Sequence, residues 1–301
     1  QRFHKNAIHT HRKKSYLIIE SKMRPNETVD ERYVLVKPVN VGYFTKTQSK
    51  KSPHIRNEEK ARKKIIGELE ILHTDLDIDK TPTTYTKHNK FDSKPIDADA
   101  DGKATPIPVI DAEKFIFNTK GVVLKFPIDP INDLYEVDTK TGKNVKPEVI
   151  NGLHAIEHLL QHAAITKAGI SPENIDGIYD ENPSSAKFKK IYIFDNSGIG
   201  ESGATEAIYH NIEETIRRAF EIISDEHKGC DSVEGCVNCT FLMRKCTQFN
   251  SNLNKPVAIK KLEKVVIAIF EERLKEYTNI KWSDKDERLD MENDLREKYG
   301  K

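Results

Sequence analysis

CDSVEGCVNCTFLMRKC, residues 230–246, contains all four cysteines of the chain: Cys230, Cys236, Cys239 and Cys246, spaced C-x5-C-x2-C-x6-C. A Cys-x-x-Cys pair lets two thiolates face one centre across a tight turn, and flanking cysteines at loop distance complete a tetrahedron around zinc. The other readings are two disulfides or four unrelated thiols. A lysine-rich chain of 301 residues with no further cysteine is unlike a disulfide-stapled secreted domain. The stretch is therefore read as one structural Zn2+ site. No non-cysteine ligand is needed, so the site is closed, and the metal holds a fold together instead of activating water.

Outward from this stretch the pattern is mixed. On its N-terminal side, Ala204 to about Glu226 reads as a helix with Ile208, Ile212, Ile216, Phe220 and Ile223 on one face. Before it come a turn at 196–203 and a strand at Lys190 to Asp195. Val149 to Ala168 places Ile150, Leu153, Ile156, Leu160 and Ala164 at helical spacing, with Gly169 suited to a left-handed C-terminal cap. On the C-terminal side a helix is expected from near Pro256 to about Tyr277. Residues 1–127 are β-rich, with runs at Ser15 to Ile19, Tyr33 to Val41, Gly67 to His73 and Gly121 to Phe126. The stretches Thr47 to Lys64 and Pro82 to Pro108 read as charged or Pro/Asp-rich loops.

The expected class is α+β. A β-rich front, a small barrel or sheet with basic loops, covers 1–130, and a linker covers 131–148. An α/β zinc-binding domain spans 149–280, and 281–301 form a charged helix or tail.

Hydrophobic content of 37% against 32% charged residues describes a soluble chain, and the cysteine usage describes an intracellular, cytoplasmic one. The longest apolar runs are far too short to span a bilayer, so no membrane partner is expected. The net charge of +1 conceals an asymmetry. Lys and Arg outnumber Asp and Glu by 17 to 6 over residues 1–64, but are outnumbered 11 to 16 over 67–148 and 21 to 26 from there on. Arg12, Lys13 and Lys14, then Lys50 and Lys51, then Lys63 and Lys64, with Tyr16, Tyr33, Tyr43 and Phe44 between them, suit phosphate neutralisation and base stacking. A solvated loop accounts equally for any one such run.

Three further motifs invite a functional reading. Gly198, Gly200 and Gly203 form G-x-G-x-x-G between a strand and a helix, yet the helix leads into the cysteines and not into a second parallel strand, so a tight glycine turn is favoured over a dinucleotide site. His154, Glu157 and His158 form H-x-x-E-H on a helix, the inverted zinc-peptidase pattern, with no third ligand singled out. Asp97, Asp99, Asp101 and Gly102 open like a calcium loop, but the twelfth position is Pro108, so the segment reads as a solvated acidic loop. His4, His9 and His11 read as part of the basic front. No G-x-x-x-x-G-K-[ST] occurs, which excludes a complete P-loop motor.

Gly152-Leu-His154-Ala-Ile-Glu157-His158, the strand Ile191-Tyr-Ile-Phe-Asp195 with its glycine turn, and Gly235-Cys236-Val-Asn-Cys239 with a later Cys246 resemble the MrfA-type zinc-binding domain. That domain lies at the C-terminal end of superfamily 2 DEAD/DEAH-box DNA helicases and occurs in the helicase-associated proteins of DISARM phage defence. The resemblance covers about residues 150–260. Phe3 to His11, Tyr16 to Ile18 and Tyr33 to Thr45 look like the β-rich segment placed before the zinc domain in these helicases. The family's paired glycines appear as Gly198-Ile199-Gly200, and its proline after the central cysteine is Val237.

The resemblance implies the C-terminal accessory half of an ATP-dependent DNA helicase in repair or defence, with ATP bound by motor lobes outside this chain. The chain opens at Gln1, as expected of a fragment or processed product. The resemblance also makes His154, Glu157, His158 and Asp195 structural or DNA-proximal residues without proteolysis. DNA and helicase motor domains are the implied partners. The rivals are a protein-interaction scaffold that docks a partner helicase, and a zinc metallopeptidase using H-x-x-E-H.

Overall fold

The computed structural model describes residues 4–22, 33–100, 102, 104–110, 114–138, 142–184, 186–196, 202–224, 230–242, 246, 250–278, 293 and 297. It is an α+β fold of two compact units, one made of Gln1–His54 and Asp77–Asn118, the other of Ile55–Leu76 and Thr119–Lys301.

In the first unit β1 (Ile8–His11), β2 (Lys14–Lys22) and β3 (Tyr33–Val39) form an antiparallel sheet in that order. Arg12 and Lys13 make the β1–β2 turn, both with positive φ, 47° and 65°, as a two-residue hairpin turn of this hand requires. β4 (Tyr43–Ile55) lies beside the long strand β6 (Leu69–Asn89), on which β7 (Ile107–Pro108) also pairs. Much of Thr47 to Lys64 is thus strand, and β6 continues through Pro82 to Asn89. Neither was legible as strand, because the polar side chains of β4 are mostly half-buried and leave no apolar alternation. His4 is buried, with Nε2 2.9 Å from Thr47 Oγ1. It is a core residue and not part of a basic surface. Asp97 and Asp99 hold an irregular loop through Thr105 N–H to the Asp97 carbonyl and Gly102 N–H to the Asp99 carbonyl; Asp101 lies outside the described residues.

The second unit is built on an antiparallel sheet. β11 (Ile175–Tyr179) pairs with β12 (Phe188–Asp195), with Ile175 opposite Asp195. β12 pairs with β8 (Phe115–Pro127), from Phe188 opposite Pro127 to Phe194 opposite Gly121. The start of β6 pairs with β5 (Arg62–Ile66) through a turn at Gly67, φ 54°. β12 is buried along both faces from Ile191 to Asp195, so it reads as a continuous apolar run and not as an alternation.

One sheet face packs on α1 (Pro147–Ala168), which packs in turn on α3 (Ile212–Ser224) and α4 (Lys255–Thr278). Pro147 opens α1 and Gly169, φ 62°, closes it. The helix expected at 204–226 is two: α2 (Ala204–His210) stops at Asn211, whose side-chain amide donates to the Ala207 carbonyl at 3.0 Å, and α3 restarts one residue later. The stretch 131–148, expected as a linker, carries the hairpin β9 (Leu134–Asp138) and β10 (Gly142–Val145), and Val145 is buried with Ile128 and Val149. The units therefore do not divide at 131–148. β5 and parts of β6 and β8 belong with the helices because β12 needs an antiparallel neighbour for its backbone groups. The tail 281–301 lies outside the described residues but for 293 and 297.

His73 on β6 ties the sheet to α2. It is buried, its Nδ1 accepts from Arg62 at 2.5 Å, and its Nε2 lies 3.2 Å from Thr205 Oγ1. Burial first, then the neighbouring Arg62 charge, lower its pKa to about 4. The neutral form is the folded form, so this contribution is complete above the unfolded pKa of about 6.5 and is lost as pH falls towards 4. Chemical denaturation across that window is expected to show stability falling with acid, and His73→Gln to flatten part of the slope. Identical slopes would remove His73 as a cause.

Candidate metal centre and basic surface

The cysteine loop follows α3 and precedes α4. The Sγ atoms of Cys230, Cys236 and Cys239 all lie within 4.8 Å of one another. The Cys236 and Cys239 sulfurs are 4.0 Å apart, about twice a disulfide bond length of ~2.05 Å. They are close to the ~3.8 Å edge of a tetrahedron with zinc–sulfur bonds of ~2.3 Å. The backbone is wound to suit thiolates: Cys236 N–H points at Cys239 Sγ at 3.2 Å and Asn238 N–H at Cys236 Sγ at 3.4 Å. The Asn238 N–H lowers the Cys236 pKa, whereas burial raises that of Cys239.

Gly235 makes the turn possible, with φ 92°. A Cβ there would overlap Thr240 Oγ1 and come within 2.9 Å of Cys239 Sγ. Lys255, at the start of α4, grips the loop from the other side: its N–H donates to the Val233 carbonyl and its Nζ to the Cys230 carbonyl, each at 2.8 Å. Three soft donors, N–H groups directed at sulfur and a glycine-dependent close approach fit a structural zinc.

The structure places Cys246 beside His154, its Sγ 3.4 Å from the ring Nε2. His154, Glu157 and His158 are all buried on α1. Their partners are backbone carbonyls of the loop: His154 Nδ1–H donates to Asn252 at 3.1 Å and His158 Nδ1–H to Thr240 at 2.6 Å. One turn further on, His162 Nε2–H donates to Phe241 at 3.1 Å. A carbonyl only accepts, so each named nitrogen carries the proton. Burial drives the pKa of His154 to about 4, that of His158 to about 3, and lowers that of His162. All three are neutral near pH 7.

Glu157 accepts from the Gln161 amide and lies against Gly177 of β11, where any Cβ would overlap its carboxylate. Asp195 ends β12 fully buried, and its Oδ2 accepts from Ser202 N–H at 3.1 Å and from the Ser202 hydroxyl. It anchors the far end of the glycine turn, whose residues 197–201, including Gly198 and Gly200, lie outside the described residues.

His162, Gln161 and Gly177 were not singled out from the sequence. A histidine at i+8 from His154 was the available signal, since i, i+4 and i+8 share a helix face.

The basic residues differ in their freedom. Arg12, Lys13, Lys14 and Lys50 of the first unit are exposed, and Lys51 is half-buried. In the second unit Lys63 is ion-paired with Glu70. Lys64 sits over the Tyr209 ring, 5.2 Å from its centroid, with Nζ 3.4 Å from the Tyr209 carbonyl.

Gly235→Ala is expected to weaken zinc binding by roughly tenfold or more in a chelator competition, the scale of disturbing a group that orients a metal ligand. Gly203→Ala also replaces a positive-φ glycine, φ 70°, but meets nothing within 4 Å, and is expected to leave zinc affinity unchanged. Equal affinities for the two variants would dissociate the Gly235 turn from the metal.

No curated protein matches this chain. Residues 156–240 match the family model of the MrfA Zn-binding domain. Among solved structures, the DUF1998 helicase MrfA bound to DNA is similar with a TM-score of 0.50 and 15% identity, over 87% of this chain and 30% of that one. The same helicase bound to DNA and AMPPNP gives a TM-score of 0.42 at 15% identity, over 87% and 27%. At this identity the first likeness is one of fold, and the chain spans about 30% of the length of that helicase. The loop that gathers three thiols and most of the helix that holds it fall within the match, and residues 156–240 are similar to the MrfA-type zinc-binding domain.

Proposed function

We propose that this chain is the zinc-binding accessory part of an MrfA-like DNA helicase, which contacts DNA without hydrolysing ATP itself. The observation that carries this is the MrfA zinc-binding domain with its three gathered thiols. It sits within a fold that resembles, over 87% of the chain, a helicase solved with DNA. The sequence contains no P-loop, so ATP hydrolysis belongs to motor domains in the same or another chain, acting in repair or in phage defence. Cys230, Cys236 and Cys239, with Cys246 as the fourth thiolate, hold the zinc, which fixes the loop to α1 and α4 and, in a closed site, supplies no Lewis acid to a reaction.

In this reading Arg12, Lys13 and Lys14, on a tight exposed turn, and Lys50 contact phosphates, with Lys51 at their side. Lys63 and Lys64 contribute less, because Glu70 and Tyr209 already engage them. The compartment is the cytoplasm, where helicase substrates and reduced thiols coexist; among the described residues no helix is long and apolar enough to cross a membrane. Peptidase chemistry is disfavoured by the burial of His154, Glu157 and His158, at 2%, 4% and 1% exposure, since a hydrolytic metal needs an open coordination position.

Fluorescence anisotropy with single-stranded and duplex DNA tests the reading. Binding is expected at low salt, with log K falling linearly in log salt. Replacing Arg12, Lys13 and Lys14 together by Ala should reduce the slope by about 0.9 for each duplex phosphate that is no longer neutralised. A chain with zinc bound and fold intact that ignores DNA at low salt would replace this reading with the protein-docking scaffold.

A further inference from the structure

The charged residues that follow β4 form one wall of a cleft in the second unit. The 3-10 turn Glu58–Lys60 is capped by Asn57, whose Oδ1 accepts from Glu59 N–H at 3.1 Å and from Lys60 N–H at 3.3 Å. The turn is fastened to β6: Arg56 N–H donates to the Asp75 carbonyl at 3.1 Å, and the Thr74 hydroxyl to the Asn57 carbonyl at 3.4 Å. Arg56 and Lys60, both exposed, are thus carried on a fixed backbone.

They line a cleft of about 270 Å3 together with Arg62 of β5, His73 of β6, Lys120 of β8 and Glu206 of α2. All nine of its lining residues are polar or charged. Pockets for small organic ligands are lined mainly by apolar and aromatic side chains, so this cleft suits an ion. Its four cations, Arg56, Lys60, Arg62 and Lys120, outnumber its two carboxylates, Asp75 and Glu206, which leaves the lining a net charge of +2. Glu58 and Glu59 lie outside the lining, and Glu58 is paired with Lys125.

Both carboxylates are already engaged. Asp75 is 3.0 Å from Lys120 Nζ, and Glu206 is paired with Arg62 and lies 2.7 Å from His210 Nε2. Arg62 is held further through its Nη2, which donates to His73 Nδ1 at 2.5 Å, and by the Tyr209 ring, whose centroid is 4.9 Å from the guanidinium carbon. A planar fork fixed in this way loses little freedom when an oxyanion arrives. His73, buried and neutral near pH 7, adds no charge to the lining.

We propose that this cleft binds a phosphate group through Arg56, Lys60, Arg62 and Lys120. The phosphate is that of a DNA backbone, an identification that rests on the function proposed above; free phosphate is the other source of the same chemistry. The second unit then holds a strand by its own residues, none of which is among the basic residues given above for DNA.

Anisotropy with labelled single-stranded DNA over a range of salt concentrations tests the site. Arg56→Ala combined with Lys60→Ala is compared with Lys167→Ala combined with Lys187→Ala, which removes two charges from exposed positions of the same unit outside the cleft. The cleft pair is expected to reduce the slope of log K against log salt by about 0.7 for the phosphate released, and to weaken binding on the order of fivefold at ~0.1 M salt. The control pair is expected to leave the slope unchanged, as is Arg56→Lys combined with Lys60→Arg. In a chain that binds DNA, equal slopes for the cleft pair and the control pair overturn the inference and leave the proposed function standing.

A chain that ignores DNA removes that function instead, and inorganic phosphate at fixed pH and ionic strength then decides. Shifts of the His73 ring resonances that saturate in the unsubstituted chain and vanish in the cleft pair uphold the site with free phosphate as its ligand, whereas unmoved resonances overturn it.

Discussion

Three imidazole N–H groups on one buried helix end on three backbone carbonyls of the cysteine loop, and the rest of the second unit is arranged around that contact. A helix as deeply buried as α1 cannot leave polar side chains unpartnered, since an unsatisfied buried donor costs about 1–3 kcal/mol. His154, His158 and His162 meet this demand with the carbonyls of Asn252, Thr240 and Phe241. Apolar packing of α1 against the sheet is non-directional and fixes no register for the loop. Hydrogen bonds of defined direction do, and they set where the cysteines face.

The same constraint passes to the sheet. Glu157, between the two histidines of the motif, needs space that β11 provides only because Gly177 lacks a side chain. β11 pairs with β12, and β12 draws β8 alongside through seven residues from Phe188 to Phe194. The α1 motif is therefore coupled to strands whose sequence positions precede it. This is why the unit that carries the metal centre includes residues from before the expected linker.

The H-x-x-E-H motif shows how burial decides between chemistries that share a pattern. An i, i+4 histidine pair on a helix serves equally to hold a catalytic ion or to brace a loop. Full burial with the Nδ1–H groups directed at structural carbonyls is incompatible with an ion that must exchange water and a peptide. The hydrogen bonds of the motif brace the loop, and its Glu157 and His158 fall within residues 156–240, which match the MrfA Zn-binding domain.

Local chemistry was legible in the sequence wherever one residue type has one strong use. The C-x2-C turn, the helix that Gly169 closes and the apolar run of β12 were read from residues alone, because thiol spacing, glycine stereochemistry and continuous hydrophobicity are local properties. Pairing partners were not. β4, the end of β6 and the hairpin at 134–145 carry polar side chains on half-buried backbone, and their strand character comes from hydrogen bonds to distant segments. The fourth cysteine obeys the same division. Its sequence spacing points to the other three, but that His154 also lies beside its sulfur depends on how the 250–254 turn and α1 approach it, and those residues are about ninety positions apart in the chain. Sequence determined that thiols, histidines and carboxylates are present at workable spacings; tertiary structure decided which of them share a centre, because coordination is a matter of distance in space and not of separation along the backbone.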